Sequence, residues 1–222
     1  MIESSKRLTA VFHMTPAVHC VGDIGCDHGY ISHALLETNR AEKVIVTDIS
    51  APSLNKAATL LSGAFCGRFE TRLGDGFAPI AEGEIQGAII MGMGGQLIAD
   101  ILARGEDVVN SLDWCIVQPM QGAEDLFDYL NRSGFELMES DLVEERGKFY
   151  PLMKIAAGGS DVFSWENFIH CDDFLAMAEK EKARLEGVAR AVEASGKKDL
   201  IDKAKRDVER WEAYIELCRN HQ

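Results

Sequence analysis

From about residue 18 onward, short apolar runs alternate with stretches whose apolar residues recur every three or four positions. The runs are VHCVGDIG (18–25), KVIVTDIS (43–50), RFETRLGDG (68–76), GAIIMGMGG (87–95), WCIVQPM (114–120), FELMESDLVEE (135–145) and FYPLMKIAA (149–157). Each has the length and β-branched content of a strand, which makes seven strand candidates. Between the first five lie YISHALLETNRA (30–41), APSLNKAATLLSGAF (51–65) and QLIADILARGEDVVNSL (96–112), with helical spacing. Strands that are apolar on both faces, alternating with helices, predict a parallel sheet covered on each side. Pro119 is expected to stop the fifth strand. The last two strands are joined only by EERGK (144–148), too short for a helix, so they should pair as an antiparallel hairpin at the sheet edge.

The periodicity changes after AAGGSD (156–161), whose small residues read as a linker. Phe174, Ala178, Glu181, Leu185, Val188 and Val192 step along one helix face. SGKKD (195–199) breaks it, and Ile201, Ala204, Val208, Trp211, Ile215 and Cys218 form a second stripe. Two such seams joined by a glycine-bearing turn predict an antiparallel, coiled-coil-like helical hairpin. The expected organisation is a domain over 1–158 and a helical hairpin over 159–222. Five βα units followed by a hairpin is the pattern of a Rossmann-like methyltransferase sheet, so the fold class expected is α/β, seven-stranded, with a C-terminal helical appendage.

The net charge is −13, from 23 basic and 36 acidic residues, which argues against indiscriminate nucleic-acid binding. The basic residues are nevertheless concentrated toward the tail, where Lys197, Lys198, Lys203, Lys205, Arg206 and Arg210 could meet phosphate or simply form a solvated helix face. Six scattered cysteines without a CxxC pair suggest no zinc site and no disulfide framework, and His13, His19 and His33 lack metal-ligand spacing. With no apolar run long enough for a membrane span and no secretory leader, a cytoplasmic protein is expected.

The stretch VGDIGCDHGY (21–30) closes the first strand, where open α/β sheets bind ligands. Gly25 and Gly29 allow a sharp turn and close approach to a ligand, while the helix that follows points its N-terminus at it. The dinucleotide pattern GxGxxG fails here. Asp27 would repel a pyrophosphate but accept hydrogen bonds from an ammonium group, which favours S-adenosylmethionine over a nicotinamide cofactor. Asp48 ends the second strand where an acid can hold ribose hydroxyls, although a helix cap is the plain alternative. Asp75 could accept from an adenine amino group or merely make a turn. MGMGG (91–95) lets backbone approach an acceptor, with Met91 and Met93 as apolar wall, or it simply leads into a helix. Gln118 either faces the acceptor or serves the turn.

SKRL, DIGCDHGY, RLGDGF, GMGGQLIADIL, QP and VEERGKFY together resemble, in order and spacing over residues 4–158, the TrmK family of bacterial tRNA adenine-N1 methyltransferases, which act on adenine 22. The resemblance implies methyl transfer from S-adenosylmethionine to that base. It implies cofactor contacts from Asp23, Gly25, Asp27, His28, Asp48, Ile49, Asp75, Gly76, Met91 and Gly92. The acceptor site would involve Asp27, Gly94 and Gln118, with Gly92, Gly94 and Gly95 as its floor and Tyr30, Met93 and Phe149 replacing base stacking. No metal is implied. The expected partner is tRNA, held by the hairpin and the N-terminal SSKRL segment, with the protein a monomer or weak homodimer. Departures from the family pattern are Ile31 and Ser32 after Tyr30, Met120 after QP, and Leu126, Phe127 and Asp128 where an arginine is usual. Another RNA or small acceptor, or a non-catalytic cofactor-binding protein, are the competing readings.

Overall fold

The computed structural model describes residues 2–193 and 198–221 and divides into two compact units, Met1–Phe163 and Ser164–Gln222. In the first, seven strands form one sheet: β1 (Val18–Ile24), β2 (Ala41–Asp48), β3 (Phe69–Leu73), β4 (Gly87–Gly94), β5 (Trp114–Gln121), β6 (Phe135–Glu145) and β7 (Lys148–Ala157). Their order is β3-β2-β1-β4-β5-β7-β6. The first five are parallel, and the β6–β7 hairpin adds antiparallel strands at one edge, β7 against β5. The order in which strands are added reverses between the parallel neighbours β1 and β4, so the carboxyl ends of these two strands flank the crevice where such sheets hold ligands.

The helices are α1 (Lys6–Met14), α2 (Tyr30–Glu37), α3 (Ala51–Ser62), α4 (Gly95–Arg104), α5 (Glu106–Asn110) and α6 (Ala123–Ser133). No helix follows β3 among the described residues, so the expectation of five βα units is corrected to four; turns through Gly74–Ile85 make that crossing instead. The predicted helix over 96–112 is two helices, α4 and α5, meeting at Gly105. A Cβ there would lie 2.5 Å from the Phe77 ring, which is why the junction residue is glycine. Pro119 does not stop β5. It pairs with Met93 at a register shift in the β4–β5 ladder, and the strand runs on to Gln121.

Helix α1 was not foreseen, though its signals are ordinary. Ser5 caps it by accepting from the Leu8 N–H, and Pro16 lies just past its end. Val11 and Met14 are buried in the core with Leu35, Leu36, Leu54, Leu61, Val46 and Ile89. Each such aliphatic burial contributes roughly 1.5–3 kcal/mol.

The first unit ends later than residue 158. Asn131 of α6 both donates to and accepts from the backbone of buried Phe163, which fastens 159–163 to this unit. The second unit contains α7 (Phe174–Glu193) and α8 (Lys198–His221) around an aromatic core of Trp165, Phe168, Phe174, Trp211 and Tyr214. The α8 stripe is as expected. On α7 the buried positions are Phe174, Met177, Ala178 and Leu185, while Val188 is exposed, so the predicted seam is corrected toward Met177. Ser195, Gly196 and Lys197 of the predicted SGKKD break lie outside the described residues. Among the described residues, no helix is long and apolar enough to cross a membrane.

Candidate active site

At the carboxyl ends of β1 and β4 lies a cavity of about 900 Å³. Its floor is the turn between β1 and α2. Gly25 and Cys26 donate their N–H groups to the Thr47 carbonyl, which stitches the turn to β2. Gly25 and Gly29 have φ of 74° and 75°, a left-handed region in which a side chain is strained. A Cβ on Gly25 would also fall 1.8 Å from Met93 Cε. Tyr30 begins α2 and is partly exposed at the mouth, its ring stacked parallel to His28 with centroids 5.3 Å apart.

Three carboxylates line this cavity: Asp23, Asp27 and Glu145. Asp23 is 4% exposed and accepts from Ser32 Oγ at 2.6 Å. Burial pushes its carboxyl up to about 6, and the nearby Asp48 charge adds to the rise, while hydrogen bonds from Ser32 and Cys26 oppose it. The Cys26 thiol is held strongly protonated by burial and by the Asp23 charge, so it packs and does not act as a nucleophile. Asp27 is exposed, with one oxygen 2.7 Å from His28 Nδ1 and the other 3.3 Å from Lys56 Nζ. Sequence reasoning missed Lys56, which reaches across from α3.

Of the expected cofactor residues, Asp23, Gly25, Asp27, His28, Met91 and Gly92 line this one cavity. Asp48, Ile49, Asp75 and Gly76 do not line it; they sit at the ends of β2 and β3 beside the turn. Asp48 accepts from the Ser50 N–H at 2.7 Å, and Ile49 is 75% exposed. Asp75 is ion-paired with Arg104 at 3.0 Å. Thr47 Oγ1 donates to the buried Gly76 carbonyl, tying the two strand ends together.

On the acceptor side, Tyr30 and Met93 line the cavity and Phe149 does not. A Cβ on Gly92 or Gly94 would meet nothing within 4 Å. Gly95 is different: a Cβ there would lie 1.8 Å from the Gly122 carbonyl oxygen, so this glycine serves the contact of α4 with α6. Gln118 is fully buried, accepts from Arg7 at 3.4 Å and donates to the Pro119 carbonyl at 2.7 Å. Leu126 and Phe127 are buried in the packing of α6, so only Asp128 of that triplet is exposed.

Arg7 was expected to meet phosphate and instead faces inward. Its guanidinium reaches Glu145 at 3.4 Å, Gln118, Met120 Sδ at 2.9 Å and the face of Tyr150 at 4.5 Å. Glu145 also accepts from Ser5 Oγ and the Arg7 N–H, and these bonds hold its carboxyl below the usual range against the opposing effect of burial. The start of α1 is thereby fixed over the strand ends. Among the described residues, no group of three or more His, Cys, Asp or Glu is arranged to hold a metal ion.

Three comparisons bear on this arrangement. A family model described as a methyltransferase domain matches residues 4–153. The tRNA (adenine(22)-N(1))-methyltransferase of Bacillus subtilis (strain 168) is 31% identical over 161 residues, 72% of this chain and 68% of that protein. A Streptococcus pneumoniae structure solved in complex with S-adenosyl-L-methionine superposes with a TM-score of 0.80 at 26% identity, over 92% of this chain and 99% of that one. The structure of M. capricolum TrmK with S-adenosyl-homocysteine gives a TM-score of 0.84 over 96% and 98% of the two chains; at 18% identity this likeness is one of fold.

Proposed function

The chain belongs to the methyltransferase-domain family, and within it to the TrmK family, and from that premise we propose that it transfers the methyl group of S-adenosylmethionine to N1 of adenine 22 in tRNA. The observation that carries this reading is the acidic, glycine-floored cavity at the ends of β1 and β4.

The residues present fit the cofactor. Gly25 leaves open a path that a Cβ would obstruct, and Asp23 and Asp27 give negative potential for an ammonium and a sulfonium. Among the described residues, the second carboxylate oxygen of Asp48 takes no hydrogen bond and is left for ribose hydroxyls, and Ile49 offers an exposed apolar face beside it. When bound, the cofactor supplies an electrophilic methyl group.

The work of the chain is alignment. N1 of neutral adenine carries an in-plane lone pair and no proton, so no residue has to act as a base before attack. The product base is cationic, and the carboxylates of Asp23, Asp27 and Glu145 lower its energy electrostatically. N1 lies on the Watson–Crick edge, so the adenine must leave its stack, and Tyr30 and Met93 supply the surface that replaces it. Gly92 and Gly94 let the base come close to backbone. Gln118 orients the floor through Arg7 and Pro119 and does not itself reach the base.

Exposed Lys198, Lys203 and Arg206 on α8 are the residues we assign to tRNA phosphates. Lys205 and Arg210 are tied to Glu193 and Asp207. A tRNA substrate implies a cytoplasmic setting. Incubation with methyl-labelled S-adenosylmethionine and unmodified tRNA, followed by nucleoside mass spectrometry, should yield 1-methyladenosine. Label in any other nucleoside, or in none while cofactor binds, contradicts this function.

A further inference from the structure

Two arginines line the cavity, and the protein uses them in opposite ways. The guanidinium of Arg7 is committed to Glu145, Gln118, Met120 and the Tyr150 ring. Arg146, in the turn between β6 and β7, is exposed and, among the described residues, makes no hydrogen bond or ion pair. Two lysines nearby are paired with the protein's own acids. Lys6 is 3.5 Å from Glu144, and Lys56 is 3.3 Å from Asp27.

The backbone at Arg146 sharpens the contrast. Its φ is 55°, a left-handed conformation that costs a residue with a Cβ about 1–2 kcal/mol and is usually given to Gly, Asn or Asp. An arginine has no advantage for such a turn. Both flanks are fastened: Glu144 accepts from the Gly147 N–H at 2.5 Å, and Glu145 is held by Ser5 and Arg7. The turn therefore presents a free guanidinium at the edge of a cavity whose other charged side chains are carboxylates or the committed Arg7.

Such a cavity suits a cationic cofactor and a cationic product, but it repels the phosphates that any nucleotide carries with its base. A base inserted between Tyr30 and Met93 brings its flanking phosphate to the rim. We infer that Arg146 is the anchor for the backbone phosphate next to the target adenosine, and so a positioning residue that selects polynucleotide over free base or nucleoside. This inference rests on the RNA-methylating function proposed above.

The test compares wild type with Arg146→Asn, which suits a left-handed turn without the charge, and Arg146→Lys, which keeps the charge. The dissociation constant for tRNA is measured directly at several salt concentrations, alongside the affinity for S-adenosylmethionine and the melting temperature. Arg146→Asn should weaken tRNA binding about tenfold, as expected for one charge-assisted phosphate contact. It should also reduce the log–log salt slope by about 0.7–0.9, with cofactor affinity unchanged and the melting temperature unchanged or slightly raised. Arg146→Lys should recover most of the binding. Wild-type tRNA affinity and salt slope in Arg146→Asn overturn the inference, as does a parallel loss of cofactor affinity. Because the readout is binding, a wild-type protein that binds tRNA without methylating it would contradict the proposed function while leaving this comparison intact.

Discussion

Gly94 can be tested more cleanly than any other residue of the site. Its φ of −70° suits any residue, and an added Cβ would meet open space. Gly94→Ala should therefore change the melting temperature little, because reduced freedom of the unfolded chain offsets the poorer N-cap of α4. If the acceptor base lies against this backbone, the methyl group displaces it, and kcat/KM for tRNA should fall about 100-fold. Unchanged kcat/KM would remove Gly94 from the acceptor site. Asp23 makes a prediction in pH. Its folded-state pKa of about 6 lies above the 3.8 of an unperturbed aspartate, because burial disfavours the charged form. The native state thus holds this proton longer than the unfolded chain. The associated stability is fully present below about pH 4 and is lost as pH rises through about 6, a change of about 3 kcal/mol. Denaturation measured between pH 4 and 7 should show Asp23→Asn lacking that decline relative to wild type; parallel profiles would contradict it. At this scale the glycines and acids of the turn were legible because backbone geometry and charge restrict residue choice. The inward turn of Arg7 and the pairing of Asp75 with Arg104 were not, since both partners come from distant segments.

Elements position these residues through a few close contacts. The start of α4 lies against Gly122 at the head of α6, where a Cβ on Gly95 would stand 1.8 Å from a carbonyl oxygen. Backbone cannot yield as a side-chain end can, so Gly95→Ala should cost about 3 kcal/mol of stability, seen as a lowered denaturation midpoint. A normal midpoint would show that α4 and α6 can separate without cost. Read from sequence, Gly95 was grouped with Gly92 and Gly94, for glycine alone does not say whether it makes room for a ligand or for another helix. The seven strands and the edge hairpin were legible, because buried parallel strands are continuous apolar runs. Helix α1 is hard to read from sequence because it is only nine residues long and buries only Val11 and Met14. The break of α4 from α5 depends on Phe77, remote in sequence, and the passage of β5 through Pro119 depends on a register shift with β4.

The whole chain is acidic, yet its proposed substrate is a polyanion, so phosphate contacts must be local. On α8, Lys203 and Arg206 lie three residues apart on one helix, both exposed. Reversing both, Lys203→Glu with Arg206→Glu, should raise the KM for tRNA and lower the salt slope by about 1.5, with cofactor affinity unchanged. An unchanged salt slope would assign α8 to another role. The central claim is methyl transfer to one defined base, and the most direct measurement is a pair of tRNA transcripts that differ only in carrying adenine or guanine at position 22. Incubated with the protein and methyl-labelled S-adenosylmethionine, the adenine transcript should gain one 1-methyladenosine and the guanine transcript none. Equal labelling of the two, or none in either with cofactor bound, would contradict the account.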